Sequence, residues 1–117
     1  MSEVIIYHNP RWGKSRNSVG ILDEKGIEYE IVKYLESPPT ASKLKEISKK
    51  LNLRAKEFIR KGEEDYKKLN LSDDQLNNNE VMFKIMSEFP KIIERPIVVS
   101  GNKACIGRPP ENILEIL

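Results

Sequence analysis

The chain is short of the residues that most often carry covalent or metal chemistry. It has one cysteine, one histidine and one tryptophan in 117 residues. The lone cysteine, Cys105, cannot close an internal disulfide, which suits a reducing, cytoplasmic setting. One histidine and one cysteine far apart in sequence form no ligand cluster, so no metal and no bound cofactor are expected. Apolar runs end after four or five residues, too short to span a membrane. The first residues lack a basic stretch leading into a long apolar one, so no secretory leader is expected. Acids and bases nearly balance, 18 against 20, which leaves a net charge of +2 and excludes a large nucleic-acid footprint. The basic groups Lys43, Lys45, Lys49, Lys50 and Lys67-Lys68 have no interleaved aromatics and read as solvated helix faces. The expectation is a monomer, residues 1–117 forming a single domain.

What is present is a regular alternation of strand and helix patterns. Val4 to His8 reads as a buried strand. A helix follows, with Ser15 as a plausible N-cap, Val19 and Leu22 inward and Gly26 as its stop. Ile27, Tyr29 and Ile31 alternate with Glu28 and Glu30, the period of a second strand, and the three elements form a parallel βαβ unit. Pro38-Pro39 breaks the pattern. Beyond it, Thr40 or Ser42 caps a helix carrying Leu44, Ile47 and Leu51, and shorter helices are expected over 54–60 and 63–69. Another helix over 79–89 carries Val81, Met82, Ile85, Met86 and Phe89. Residues 36 to 92 thus read as a helical insert. The end is a hairpin, Ile97–Val99 and Lys103–Ile106 turning at Gly101-Asn102. A helix opened by Pro109 or Pro110 then turns Ile113, Leu114 and Leu117 inward. The fold class is α/β: a thioredoxin-like mixed sheet, β-α-β then β-β-α, with a helical insertion.

The segment with most chemical content is Tyr7 to Arg16, which reads Y-H-N-P-R-W-G-K-S-R. Strand, turn and helix start in that order make an anion site, because the first N–H groups of a helix lack partners and its dipole is positive there. Arg11, Lys14 and Arg16 add charge at the same place. Cys105, in Ala104-Cys105-Ile106, reads as a core thiol, with thiol transfer as its alternative use.

At these residues the chain resembles the glutaredoxin-coupled arsenate reductases, whose N-terminal loop has the form H-N-P-x-C-x-x-S-R. His8, Asn9, Pro10, Ser15 and Arg16 match, and Trp12 stands where the cysteine belongs. The resemblance continues through Tyr34-Leu35-Glu36-Ser37-Pro38-Pro39, Phe58-Ile59-Arg60-Lys61, Glu94-Arg95-Pro96-Ile97-Val98-Val99 and Ile106-Gly107-Arg108-Pro109. It implies an oxyanion pocket formed by Arg60, Arg95, Arg108, Ser15 and Arg16, and a cis Pro96 facing the loop. His8 would tune the nucleophile or, without one, satisfy loop groups and Ser15. In such an enzyme a thiolate attacks arsenate, glutathione then adds as co-substrate, and glutaredoxin releases arsenite. An indole is no nucleophile, so the resemblance implies arsenate or another small oxyanion as ligand while Trp12 removes the family's redox step. Trp12 itself could stack on Arg11 or Arg108, plug the pocket, or form a platform for a ligand or partner. Spx-like regulators, which bind a protein partner, belong to the same superfamily and supply the alternative reading.

Overall fold

The computed structural model describes residues 4–9 and 13–117, excluding the side chain of Lys14. The chain divides into two compact units, one made of residues up to Ser37 together with Arg95–Leu117, the other of Pro38–Glu94.

In the first unit, strands β1 (Val4–His8), β2 (Tyr29–Lys33), β3 (Ile97–Ser100) and β4 (Lys103–Ile106) form one mixed sheet in the order β2-β1-β3-β4. β1 pairs in parallel with β2, with Val4 opposite Tyr29 and His8 opposite Lys33. It pairs antiparallel with β3, with Tyr7 opposite Ile97. β3 and β4 form the hairpin, closed by Gly101-Asn102, where Gly101 has φ of +59°, a conformation glycine adopts without strain. Helix α1 (Gly13–Glu24) covers one face. Its C-terminus is closed by Gly26 at φ +64°, with Gly26 N–H donating to Asp23 O and Ile27 N–H to Leu22 O, both at 3.1 Å. These two bonds are a Schellman motif, and they satisfy carbonyls that the helix end would leave open. Under α1 the core is Val4, Ile6, Leu22, Val98 and Ile113, with Val19, Ile27, Tyr29 and Cys105 packed against it. The mixed four-stranded sheet with its helices is the thioredoxin-like arrangement expected from the element order.

The insert contains α2 (Ala41–Leu51), α3 (Glu64–Leu69), α4 (Asp73–Leu76) and α5 (Asn79–Glu88), with short 3₁₀ turns at Ala55–Phe58 and Pro90–Ile92. Thr40 caps α2 by accepting from Lys43 N–H at 3.1 Å. α2 packs on α5, and Leu44, Ile47, Phe58, Met82, Phe83 and Met86 are buried. An antiparallel bridge between Ile59 and Ile93 brings Arg60 and Glu94 side by side, with Arg60 N–H donating to Ile92 O and Glu94 N–H to Phe58 O. α4, which the apolar pattern did not predict, carries a capping box between Ser72 and Gln75. None of the described helices is long and apolar enough to cross a membrane.

Ile31, on the edge strand β2, is 42% exposed. The inward placing of the two terminal leucines fails. Leu114 and Leu117 are also exposed, at 43% and 42%. The terminal element, Pro110–Glu115, is a 3₁₀ helix and not an α-helix. Its side chains repeat every three residues, so Pro110 and Ile113 face inward and Ile116 packs on the core edge. An α-helical period had placed Leu114 and Leu117 there.

The difference is measurable. Ile113→Ala should cost about 2–5 kcal/mol of unfolding free energy by urea denaturation, as buried Ile-to-Ala truncations do. Leu114→Ala should stay within about 0.5 kcal/mol of wild type. Equal costs would mean that the terminal stripe has the α-helical period.

Candidate functional site

Neighbouring residues in register on adjacent strands project to the same face of a sheet. On the face covered by α1, β1 therefore presents Val4, Ile6 and His8, while β2 presents Tyr29, Ile31 and Lys33. Continuing the β1–β3 and β3–β4 registers one step past Ile97 brings Pro96 beside His8 and Gly107 beside Pro96. Gly107 N–H donates to Pro96 O at 2.9 Å, which holds that last rung. The sheet thus ends, beneath the first turns of α1, in a row: Lys33, His8, Pro96, Gly107.

Two serines of α1 reach down onto this row. Ser15 Oγ lies 2.6 Å from His8 Nδ1 and accepts the Asn9 N–H at 3.0 Å. A Cβ placed on Gly107 would meet Ser18 Oγ at 2.6 Å and Pro96 Cγ at 2.9 Å, so only glycine fits there without displacement. Ser15 and Ser18 are fully buried, and His8 and Asn9 are nearly so. Ser15 is therefore not the N-cap. α1 begins at Gly13, and Ser15 lies inside its first turn with its hydroxyl turned to β1 and the loop. A serine near a helix start can serve either use, and here the neighbouring strand end supplies the better partners. Both Arg95–Pro96 and Arg108–Pro109 are cis.

The expected basic residues divide by position. Arg95 leads into β3, two residues before Ile97, and is buried at 5% exposure. Arg108 follows β4 by two residues and is exposed. Both belong to the sheet end where β1 finishes and α1 begins. Arg16 is exposed, with Nη2 3.8 Å from where a Cβ on Gly13 would sit, so its guanidinium bends back over the helix start. It also borders a shallow depression of about 340 Å³ where α1 meets the terminal 3₁₀ helix, but Glu24 and Glu111 line the same depression and offset its charge. Arg60 lies in the insert, paired with Glu63 at 2.7 Å and Glu94 at 3.9 Å. Trp12, with Pro10 and Arg11, lies outside the described residues.

Proton chemistry at the site centres on His8. Burial holds its pKa below the usual 6.5, and the charge of Lys33 pushes in the same direction. Its imidazole is therefore neutral at pH 7. Cys105 differs: burial, helped by Glu115, pushes its thiol up to about 11, so almost no thiolate exists at neutral pH. Cys105 packs against the core on the α1 face, an environment unsuited to thiol transfer. No group of three or more metal-ligating side chains occurs among the described residues. Sequence reasoning missed Lys33, Ser18 and Gly107. Their roles depend on strand register and close packing, which no local pattern encodes.

Two predictions follow from this geometry. Gly107→Ala should destabilise the protein by about 1–3 kcal/mol, since a close-packed site must shift to take the methyl group. Part of that loss should return in a Gly107→Ala, Ser18→Ala double variant, because the nearest obstructing atom is then gone; full additivity in the denaturation cycle would contradict the close approach. The second concerns pH. Below pH 6.5 an unfolded His8 takes up a proton that the folded chain refuses until its lower pKa is reached. The unfolded state then binds more protons, so the stability from a neutral His8 is complete above 6.5 and is lost as pH falls. His8→Gln should flatten the stability profile between pH 7 and 5, and an unchanged slope would remove His8 as its source.

Known proteins match this chain over nearly its whole length. The profile of the ArsC family matches residues 7–116. The chain is 48% identical to the uncharacterized protein YfgD of Escherichia coli K12, covering 98% of this chain and 97% of that one. It is 47% identical to an arsenate reductase of Haemophilus influenzae, covering 97% and 98%. In structure it is similar to an arsenate reductase from Vibrio cholerae, with a TM-score of 0.92 at 46% identity over 97% of each chain. The chain, which matches this profile from Tyr7 to Ile116, belongs to the ArsC family.

Proposed function

We propose that this chain binds a small tetrahedral oxyanion of the arsenate, phosphate or sulfate type at the start of α1. We further propose that it does not reduce arsenate by the thiolate route of its family. The observation that carries the binding half is the His8–Ser15–Asn9 node at the N-terminus of a twelve-residue helix. The node ties the loop to the helix, so the first N–H groups of α1 keep a fixed direction toward any bound anion. Arg95 and Arg108, at the same sheet end, are the cations assigned to the anion, with Arg16 at the helix start. Arg60 is assigned to it by resemblance alone.

The other half rests on atoms in the sequence. Position 12 holds an indole, which cannot attack arsenic or accept a glutathionyl sulfur. The one thiol in the chain is core-packed, with a pKa raised to about 11. Glutathione and glutaredoxin then have no thiol adduct to act on. A cytoplasmic setting and a monomeric state belong to the same reading, and a protein partner in the manner of the Spx-like regulators is its alternative.

Wild type should give no glutathione- and glutaredoxin-dependent arsenate reduction above background, and Trp12→Cys should gain some. The introduced thiol would sit beside the helix start, where its pKa should fall below the free value of about 8.5. Iodoacetamide alkylation against pH, on a Cys105→Ser background, reads that pKa. Calorimetric titration with phosphate or arsenate at low salt should show weak binding that Arg95→Ala, Arg108→Ala abolishes. Turnover by wild type would overturn the inactive half of the proposal. Anion binding that survives the double substitution would overturn the assigned site, and absence of any anion binding would favour the partner reading.

A further inference from the structure

The row at the sheet end contains one charged residue that neither the loop motif nor the arginine set includes. Lys33 is the last residue of β2, and its register partner is His8, the last residue of β1. Register partners in a parallel pair project to one face, so Lys33 leaves the sheet on the face where Ser15 meets His8. It is exposed, on an edge strand, with a stem long enough to place its ammonium near the imidazole without burying it. We propose that Lys33 is a positioning residue of this site, acting through His8 to fix the direction of the His8–Ser15 hydrogen bond.

Ser15 Oγ accepts one hydrogen bond, from Asn9 N–H, and its remaining donor is the hydroxyl proton. A neutral His8 with its proton on Nε2 offers Nδ1 as acceptor, so the hydroxyl donates to it and both ends of the 2.6 Å contact are used. A protonated His8 donates from Nδ1, and the hydroxyl proton of a fully buried serine must then turn to another acceptor. A cation beside the ring opposes protonation, and burial of the ring opposes it too. Among the described residues, the charged groups that the neighbouring elements carry at this sheet end are Lys33 on β2, Arg16 on α1, Arg95 before β3 and Arg108 after β4. These are cations, and Lys33 is the one in direct register with His8. Lys33 thereby keeps the Ser15 contacts that tie the end of β1 to the start of α1. The inference deepens the oxyanion reading and uses it only for the ligand.

His8 is the sole histidine of the chain, so its ring signals in NMR are unambiguous. Titration of the full chain by ¹H–¹⁵N correlation should show a midpoint below 6.5 and the Nε2–H tautomer in wild type. Lys33→Gln should move the midpoint up toward 6.5, while Lys33→Arg, which keeps the charge, should leave it where wild type has it. With phosphate as probe, Lys33→Gln should bind more weakly than wild type at pH 6 and recover toward it at pH 8. Midpoints that coincide in wild type and Lys33→Gln would overturn the proposal, as would an Nδ1–H tautomer in wild type. If phosphate binds neither protein but the midpoint still follows the charge at position 33, the oxyanion reading fails and this inference stands.

Discussion

The site depends on how closely α1 approaches the end of the sheet. At Gly107 there is no room for a methyl group between the strand end and Ser18. That approach sets the height of the helix above the row of Lys33, His8, Pro96 and Gly107, and so brings Ser15 within 2.6 Å of His8. A larger residue at 107 would lift the first turns of α1, lengthening the Ser15 contact and turning the helix terminus away. Close packing thus performs an electrostatic task, because an N-terminal dipole acts only within about the first turn. The Schellman closure at Gly26 fixes the other end of the same helix, and the Tyr29 hydroxyl donating to Asp23 at 2.6 Å ties that end to β2. Both ends of α1 are therefore tied, and its registration over the sheet follows.

Charge in the first unit is arranged around that helix start. Arg95 is almost fully buried while Arg108 and Arg16 are exposed. A buried guanidinium is costly unless it is engaged, and Arg95 is engaged within the fold. The two exposed arginines carry little such cost. Arg60, in the insert, is paired with Glu63 and Glu94.

Much of this architecture was legible in the sequence wherever a local rule governs. Gly26 and Gly101 stand where the backbone takes positive φ, Thr40 caps α2, and the apolar run at Ile97 to Val99 is β3. Legibility ended where two local rules compete or where the cause is non-local. Ser15 could cap its own helix or bond the preceding strand end, and only the tertiary distance decides. The terminal stripe has an α-helical and a 3₁₀ reading that share Ile113 and part at Leu114 and Ile116. The Ser72–Gln75 box was written locally in a helix of four residues, too short to carry an apolar period. Lys33 was one lysine among twenty basic residues until the register of β2 placed it opposite His8.

The fold and the family reaction can therefore be separated residue by residue. Nothing that builds the sheet end requires a thiol: the Gly107 approach, the serine contacts and the strand registers are all made by other atoms. Losing Gly107 or His8 would disturb this end of the sheet directly. Cys105 shares the α1 face but lies in register with Val98, two positions along β4 from Gly107 and among core side chains. With its thiol raised to about 11, Cys105 holds almost no thiolate at neutral pH. What the described side chains of this sheet end do make is a hydrogen-bonded node, with Ser15 joined to His8 on one side and to the Asn9 N–H on the other.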